Sequence, residues 1–283
     1  MSLQPVITSY EPFSKSPEYL EANREFLKTL HLPEAAHLLD LACGTGVMTD
    51  AALAVRPRLR VTGIDLSRES LLLAQEHFAA GRPDVFLVRG TADVLPFPDT
   101  TFDAGMMGNA IHILRDPLAL AREIRRVLRP GAIFAFNSSF YAGTFAPGTE
   151  RFYHDWVKEA LRWIQEEDRA LRARGLPGIP RRREARGGAF TNRWRTPAEW
   201  GALFEEAGFA TVRLSERVVP MTGESFEAVG AYAGMAEVLL SGYPVASASA
   251  ALQAAVAPAL RSMSLTTVPR NWLEAVVVRK ENG

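Results

Sequence analysis

Strand-like and helix-like segments alternate along much of the first half of this 283-residue chain. Buried-strand patterns stand at 37–42, 60–66, 85–90, 102–110 and 132–139, and segments with helical periodicity separate most of them. Parallel strands joined by helices make right-handed crossovers, which put helices on both faces of one sheet. We therefore expect an α/β fold: a doubly wound, Rossmann-like, mostly parallel seven-stranded sheet with helical lid insertions.

The alternation stops after residue 140, and the chain divides into four predicted segments. They are an N-terminal arm and lid helix at 1–32, a binding core at 33–140, a helical substrate lid at 141–195, and the end of the core sheet at 196–283. The last segment carries a second helical insert at about 222–265. Inserts that follow the carboxyl ends of parallel strands lie over the binding crevice, so we expect both inserts to cover it.

The charge balance narrows the class of partner. The chain has 32 basic and 32 acidic residues, whereas nucleic-acid binding usually leaves a basic footprint, so we expect no nucleic-acid partner. The single cysteine, Cys43, excludes an internal disulfide and a cysteine-cluster metal site, and no other ligand spacing predicts a metal. The sequence has no basic-then-apolar leader and no run of ~20 apolar residues, which predicts a cytoplasmic protein without a membrane partner. A monomer and a homodimer both stay open.

Two glycines, Gly44 and Gly46, separate the first strand from its helix. Because they lack Cβ atoms, a ligand can approach the helix start, where exposed N–H groups attract anions. A tight turn without a ligand is the alternative. Asp65 ends the next strand, where a carboxylate can accept both hydroxyls of a ribose or can cap the following helix.

The residues around this turn indicate which nucleotide fits. A dinucleotide favours G-x-G-x-x-G or A, and the third position here is Thr49. Asp40 lies four residues before Gly44, where its carboxylate would repel a pyrophosphate and attract an ammonium group. The pattern therefore favours an adenosine that carries an amino acid.

Four motifs in order carry a family resemblance over roughly 33–140: "LLDLACGTG", "VTGIDLS", "VRGTADVLPFPDTTFD" and "IRRVLRPGAIFAF". They resemble the successive motifs of class I S-adenosylmethionine-dependent methyltransferases. The chain is most similar to the subgroup that contains ubiquinone- and menaquinone-pathway enzymes and natural-product methyltransferases. The resemblance implies S-adenosyl-L-methionine as the cofactor.

The resemblance also implies a set of cofactor-binding residues. Ala42, Cys43 and Gly44 are expected at the methionine end, and Asp65 is expected on the ribose. Relatives commonly carry Asp where this chain has Thr91, so either the threonine oxygen or Asp93 is expected to accept the adenine amino group. The full expected set is Asp40, Ala42, Cys43, Gly44, Gly46, Asp65, Leu66, Thr91, Ala92, Asp93 and Asn109.

The segment "MMGNAIHIL" at 106–114 follows the fourth strand and carries the candidate catalytic residue, His112. By the resemblance, relatives often hold a histidine here, facing the substrate. Imidazole ionises near neutral pH, so His112 suits a general base for an oxygen, nitrogen or activated carbon acceptor. The alternative, in which His112 only shapes the pocket, stays open.

Aromatic residues near the expected substrate entrance favour a small apolar or aromatic substrate, although such residues are often core. An arginine cluster between Arg181 and Arg195 would bind an anionic substrate group or lie in a solvated loop. The expected substrate-binding residues are Tyr10, Phe13, Tyr141, Phe145, Tyr153 and Trp156.

Taken together, these features predict an enzyme that transfers a methyl group from S-adenosylmethionine to a small molecule. The alternatives are a nucleic-acid or protein methyltransferase, and a non-catalytic S-adenosylmethionine-binding protein. Neutral charge and the absence of an Asn/Asp-Pro-Pro-Tyr/Phe motif argue against the first alternative. The intact glycines and acids argue against the second.

Overall fold

The computed structural model describes residues 11–79, 81–82, 84–182 and 194–281. The helices are α1 (Glu11–Ser14), α2 (Pro17–Lys28), α3 (Val47–Val55), α4 (Arg68–Ala79), α5 (Pro117–Val127), α6 (Glu150–Ala173), α7 (Pro197–Glu206), α8 (Gly223–Ala231), α9 (Ala233–Leu239) and α10 (Val245–Ser262). The strands are β1 (His37–Leu41), β2 (Arg60–Asp65), β3 (Val85–Arg89), β4 (Phe102–Gly108), β5 (Leu128–Ser138), β6 (Phe209–Thr222) and β7 (Thr267–Arg279). A short 3₁₀ helix at Ile111–Ile113 follows β4.

The seven strands form one sheet in the order β3-β2-β1-β4-β5-β7-β6. The pairs that β1 makes with β2 and β4 are parallel, as are β2 with β3 and β4 with β5, whereas β7 runs antiparallel to β5. The predicted seven-stranded, mostly parallel sheet is thus confirmed. Because the strand order reverses between β1 and β4, the crevice expected of such sheets opens at the carboxyl ends of these two strands.

The chain folds into two compact units, which we name by their content. The sheet unit comprises residues 19–144, 194–217 and 271–283, and the helical unit comprises 1–18, 145–193 and 218–270. The predicted lid function of the inserted helices stays a prediction.

The sheet unit has an apolar core on each face of its sheet, because neighbouring residues of a strand point to opposite faces. On one face, Leu38 of β1 packs in a buried cluster with residues of α2, α3 and α4, such as Phe26 and Phe78. On the other face, Leu39 lies in a second cluster with residues of α5 and α7, such as Phe204. The core thereby fixes the direction in which the β1 tip points.

Helix α5 ends at Val127, and β5 starts at Leu128, earlier than the strand expected at 132–139. β5 begins at once, because Leu128 already pairs with Phe102 of β4, and a register shift between Phe102 and Ala104 accommodates the residues that follow. The expected strand start at residue 132 was wrong for this reason.

The helical unit has its own apolar core, in which α10 packs against α6 and α8. Phe152 and Trp156 of α6 contact Phe226 of α8 at ring-centroid distances of 4.8 and 5.4 Å. The Trp156 indole N–H donates to the Leu252 carbonyl oxygen (2.7 Å). Among the residues that the structure describes, no helix has the length and apolarity needed to cross a membrane.

Candidate functional site

The turn after β1 has an unusual backbone. Ala42 (φ 52°), Gly44 (φ 55°) and Gly46 (φ 90°) all adopt the left-handed region, which costs a non-glycine residue about 1–2 kcal/mol. The Cys43 N–H donates to the Ile64 carbonyl of β2 (3.1 Å), and the Gly46 N–H donates to the Cys43 carbonyl (2.9 Å). These bonds hold a tight turn at the carboxyl end of β1.

The two glycines of this turn are needed for different reasons. A Cβ atom added to Gly44 would meet no atom within 4 Å, so the space beside it is open. A Cβ atom added to Gly46 would lie 2.4 Å from Phe78 Cε2, a severe overlap. Open ligand space, expected at both positions, is therefore a property of Gly44, whereas Gly46 makes room for the α4 side chain.

The Asp40 carboxyl group is fully buried at the tip of β1. Its Oδ2 accepts a hydrogen bond from Thr49 Oγ1 (2.6 Å), and its Oδ1 has no hydrogen-bond partner among the described residues. Burial raises the pKa of Asp40 to about 7, the Asp65 charge adds to this effect, and the Thr49 bond opposes it. A buried carboxylate with one oxygen unsatisfied suits a cationic ligand group.

Asp65, at the tip of β2, has both oxygens bonded to backbone. Its Oδ2 accepts from the Gly44 N–H (2.9 Å) and its Oδ1 accepts from the Ser67 N–H (2.8 Å). The helix cap considered for Asp65 is supplied by Ser67, whose Oγ accepts from the Ser70 N–H (3.1 Å). A carboxylate has about four acceptor positions, so Asp65 can also accept hydroxyl groups.

Three of the expected adenine-side residues lie at the surface of the sheet unit. Leu66 is 68% exposed. The Thr91 hydroxyl donates to Asp93 Oδ2 (3.0 Å) and accepts from the Asp93 N–H (3.2 Å). Ala92 between them packs against the sheet core. The Cys43 side chain, by contrast, is buried at the position where a Cβ of Gly63 would stand.

Asn109 follows β4 in the left-handed region (φ 47°). Its Oδ1 accepts from the backbone N–H of Ser139 (2.7 Å) and from the Ser139 hydroxyl (3.1 Å). Its own N–H donates to Asn137 Oδ1 (2.9 Å). Asn109 thus ties the end of β4 to the end of β5.

The candidate base, His112, is buried beside the same two strand ends. Its ring lies 4.5 Å from the Phe140 ring, and its Nδ1 lies 3.1 Å from Ser138 Oγ. When Ser138 Oγ donates its proton to the Phe140 carbonyl (3.1 Å), it accepts from Nδ1–H of the histidine. This assignment puts the lone pair of the neutral imidazole on Nε2.

The expected substrate residues fall in both units. Phe13 and Trp156 are buried in the helical unit, whereas Phe145 is 41% exposed there and its ring lies 4.4 Å from that of Tyr153. Tyr141 is fully buried in the sheet unit and its hydroxyl donates to Glu216 Oε1 (2.6 Å). Tyr10 lies outside the described residues.

The arginine cluster is described only in part. Arg181 lies over the Tyr243 ring, with 5.3 Å from Cζ to the ring centroid, and Arg195 lies over the Trp200 ring at the same distance. Both arginines therefore have aromatic partners within their own unit. Residues 183–193 lie outside the described residues.

Sequence reasoning missed four polar residues of this region: Thr49, Ser138, Asn137 and Asn23. One signal was present for Thr49, since no Lys or Arg occurs between 37 and 55, so a buried Asp40 needed a neutral donor nearby. The others contact the site through bonds between elements distant in sequence, which no local pattern marks.

Comparison with known proteins identifies the family. Residues 39–136 match the family model described as "Methyltransferase domain". The chain is 40% identical over 204 residues to demethylmenaquinone methyltransferase of Symbiobacterium thermophilum, covering 66% of this chain and 73% of the relative. This chain belongs to the class I S-adenosylmethionine-dependent methyltransferases.

One further relative supports this assignment, and one solved structure shares the fold. The demethylmenaquinone methyltransferase of Bacillus licheniformis is 29% identical over 211 residues, covering 70% of this chain and 78% of the relative. The solved structure of BH2331 from Bacillus halodurans C-125 covers 92% of this chain and 99% of its own, with a TM-score of 0.57 at 16% identity, which shows the shared fold. The methyltransferase is an enzyme and its cofactor is S-adenosylmethionine, as the family resemblance implied.

Proposed function

We propose that this methyltransferase methylates a small apolar or aromatic metabolite. In this proposal Asp40 and the turn at Ala42–Gly46 bind the amino-acid part of the cofactor, Asp65 binds the ribose, and His112 accepts the proton of the substrate. The single observation that carries the proposal is the unsatisfied Oδ1 of the buried Asp40, and the open space at Gly44, four residues further on, agrees with it.

The β1 tip fits S-adenosylmethionine in charge and in shape. The Asp40 carboxylate suits the ammonium group of the methionine part, because bringing a cation next to it stabilises the charged form of a buried acid. The open space at Gly44 gives the ligand access to the backbone. A pyrophosphate at the same place would meet a like charge.

The second strand tip fits an adenosine. Asp65 is held by the Gly44 and Ser67 N–H groups in an orientation that leaves acceptor positions for two ribose hydroxyls. The exposed Leu66 side chain offers an apolar surface for the adenine ring. The Thr91–Asp93 pair supplies oxygen acceptors for the adenine amino group.

Bound at this site, S-adenosylmethionine would supply a methyl group activated by its sulfonium; transfer to the acceptor atom would break the methyl–sulfur bond and release S-adenosylhomocysteine. The residues of the chain then have to orient the acceptor, exclude water and remove a proton. In the tautomer whose Nδ1–H donates to Ser138 Oγ, the lone pair lies on His112 Nε2, and we propose this ring atom as the one that takes the proton.

The substrate class rests on the surroundings of His112 and on the relatives. The buried Phe140 ring and Ile111 side chain next to His112 favour an apolar acceptor. Demethylmenaquinone, the substrate in the names of the related enzymes, belongs to this class. Phe145 and Tyr153 are the proposed aromatic residues of the substrate lid, whereas Trp156 belongs to the apolar core of the helical unit. We propose a cytoplasmic monomer or homodimer.

The test is a pair of measurements on the whole chain. Calorimetry is expected to show binding of S-adenosylhomocysteine and no binding of NADH. A cofactor labelled in its methyl group is then incubated with reduced demethylmenaquinone, with other small aromatic metabolites and with RNA. The proposal would be overturned if only RNA became labelled, or if NADH bound more tightly than S-adenosylhomocysteine.

The His112 assignment has its own test. His112→Ala is expected to lower kcat at least about 100-fold and to change S-adenosylhomocysteine affinity less than about threefold, because a general base contributes about 10²- to 10⁴-fold. A change in substrate KM with kcat preserved would instead support a role in shaping the pocket.

A further inference from the structure

Strand β3 lies at one end of the sheet, so β2 is its only neighbouring strand in the described part of the chain. The Val61 N–H donates to the Asp84 carbonyl (2.9 Å), and the Gly90 N–H donates to the Asp65 carbonyl (3.0 Å). Because the backbone groups of a strand alternate in direction, the even-numbered residues from 84 to 90 pair with β2. The N–H and C=O groups of the odd-numbered residues, such as Leu87, therefore point away from the sheet.

A groove with a volume of about 1040 Å³ runs along this edge and is lined by both β3 and α4. Its apolar lining includes Leu71 and Phe78, which are buried, and Leu72, which is 50% exposed. Phe86 of β3 also borders the groove and is 51% exposed. The edge therefore combines backbone groups that can pair with a strand and apolar side chains that such a strand would cover.

Three arginines line the same groove. Arg68 is the first residue of α4, Arg82 follows this helix, and Arg89 ends β3. The Arg89 guanidinium donates to the Leu66 carbonyl (3.3 Å), whereas those of Arg68 and Arg82 have no hydrogen-bond or ion-pair partner among the described residues. None of the described residues that line the groove is acidic. The groove therefore favours an anionic partner.

The two faces of β3 offer different contacts to such a partner. Leu87 packs against the cluster that contains residues of α4, and Arg89, two residues further along the strand, points to the same face. Val88 packs against the cluster on the other face, and Phe86 points there with it. A strand that pairs with β3 would thus place every second side chain near the arginines and the others near Phe86.

We propose that the edge of β3 binds an extended segment of a partner protein in which acidic and apolar residues alternate. Its backbone would pair with the outward N–H and C=O groups of β3. Its carboxylates would face Arg68, Arg82 and Arg89, and its apolar side chains would cover Phe86. This inference is independent of the proposed function.

Other parts of this protein do not fit the groove as well as an acidic partner does. The sequence of 1–10 contains no acidic residue, and that of 183–193 contains one acid and three arginines. A second copy that paired its own β3 with this one would bring two sets of the same arginines together, which like-charge repulsion opposes. Charge therefore favours a different protein as the occupant.

The test uses the full chain and synthetic peptides of about ten residues, with binding measured by fluorescence anisotropy. The probe is an alternating Glu-Val peptide, and its charge control is a Lys-Val peptide. Two further versions of the probe carry N-methyl groups, on every Glu in one and on every Val in the other. Each version removes the hydrogen-bond donors from one side of the extended peptide only.

The Glu-Val peptide is expected to bind at least about 10-fold more tightly than the Lys-Val peptide. One N-methylated version is expected to bind at least about 10-fold more weakly than the probe, and the other to stay within about threefold, because only one side of an added strand faces β3. The inference would be overturned if the Glu-Val peptide did not bind, if both charge types bound equally, or if the two methylations had equal effects.

The double variant Arg68→Glu with Arg82→Glu tests the groove itself. We expect it to weaken Glu-Val binding at least about 10-fold and to strengthen Lys-Val binding. Arg115→Glu with Arg174→Glu is the matched control, because it makes the same change in net charge at two exposed arginines outside the groove, and it should stay within about twofold. Equal losses in both double variants would show that net charge alone is responsible and would contradict the inference. If the thermal melt shows that the groove variant does not fold, Arg68→Gln with Arg82→Gln replaces it.

An anionic membrane is the other class of partner that meets arginines and exposed apolar side chains. Cosedimentation with vesicles of phosphatidylglycerol and phosphatidylcholine distinguishes it. We expect the Arg68→Glu, Arg82→Glu variant and the wild type to sediment with these vesicles to the same extent. Vesicle binding that is lost in this variant, together with no binding of the Glu-Val peptide, would replace the strand partner by a lipid surface.

Discussion

The tips of β1 and β2 carry one aspartate each, and the two carboxylates differ in burial and in hydrogen bonding. Asp40 is fully buried with one oxygen unsatisfied among the described residues, and its pKa is raised to about 7. Asp65 is less buried, and backbone N–H groups bond to both of its oxygens. The buried Asp40 carboxylate therefore lowers the stability of the ligand-free protein, whereas Asp65 stabilises the turn even without a ligand.

Because of this difference, the two aspartates should affect the stability of the fold and the binding of the cofactor in different ways. A satisfied carboxylate contributes to the folded state, while a buried unsatisfied one destabilises it until a partner arrives. Loss of the Asp40 carboxylate should therefore raise stability and lower cofactor affinity. Loss of the Asp65 carboxylate should lower both.

The largest expected effect is at Gly46. Gly46→Ala is expected to lower the free energy of unfolding by about 4 kcal/mol, because a Cβ would overlap Phe78 in a left-handed residue. Gly44→Ala has no such overlap, so it is expected to lower the free energy of unfolding by only about 1–2 kcal/mol. It is expected to reduce cofactor affinity more than Gly46→Ala does. Denaturant unfolding and calorimetry measure both quantities. The pair of Gly46→Ala with Phe78→Leu should recover part of the stability, and no recovery would refute the packing explanation.

Asp65→Ala is expected to weaken S-adenosylhomocysteine binding at least about 100-fold, since it removes the acceptor for the ribose hydroxyls. Stability should fall by about 2 kcal/mol, because the Gly44 and Ser67 N–H groups lose their acceptor. Asp116→Ala is the matched control, as Asp116 also accepts from two N–H groups, those of Leu118 and Ala119. The control should lose stability and retain affinity by calorimetry. An unchanged affinity of Asp65→Ala would contradict the ribose assignment.

Asp40→Asn tests whether the buried carboxylate at the β1 tip destabilises the protein when no ligand is bound. The folded protein holds the Asp40 proton up to about pH 7, whereas the unfolded chain releases it near pH 4, so this group makes the free energy of unfolding fall as pH rises between these values. Without cofactor, the asparagine variant is expected to lack this decline and to be more stable than wild type at pH 8, by up to about 4 kcal/mol.

The same variant should bind S-adenosylhomocysteine about 10-fold more weakly at pH 8, because the ammonium group loses its anionic partner. Urea unfolding at pH 5 and pH 8 and calorimetry at pH 8 provide the measurements. An identical pH dependence of stability in both proteins would show that Asp40 is not the titrating group.

Thr49→Val is expected to have the smallest effect. Loss of the Thr49 hydrogen bond raises the pKa of Asp40 further, so fewer molecules carry the anion at pH 7. We expect about threefold weaker S-adenosylhomocysteine binding at pH 7 and wild-type affinity at pH 9. A loss that is the same at both pH values would mean that Thr49 acts through packing.

The sequence predicted the sheet well, because alternation of strands and helices is a local pattern that repeats. The ends of β5 and α5 were less predictable, since the pairing of Leu128 with Phe102 depends on two distant segments. The acids and glycines of the site lie in short motifs, so their positions were visible. Their individual functions were not, because the Phe78 contact of Gly46 comes from another helix.

In the helical unit, the sequence did not show which aromatic residues are buried in the core and which are exposed. Its aromatic residues have helical spacing, and that spacing is the same for a core residue such as Trp156 and for a partly exposed one such as Phe145. Polar residues that act through long-range bonds, such as Ser138 on His112, leave no pattern in one sequence. These polar residues could be found only from the contacts in the three-dimensional structure.

The bond between Asn137 and Asn23 joins residues 114 positions apart. A ribosome adding about 5–20 residues per second makes α2 roughly 6 to 23 seconds before the partner of Asn23 exists. During that interval the Asn23 side chain of α2 lacks its amide partner, although Phe26 of the same helix can already pack against Leu38 of β1. Nascent chains that end before β5 should accordingly form this apolar contact first, and the hydrogen bond between the two amides should close only after residue 138 has left the exit tunnel.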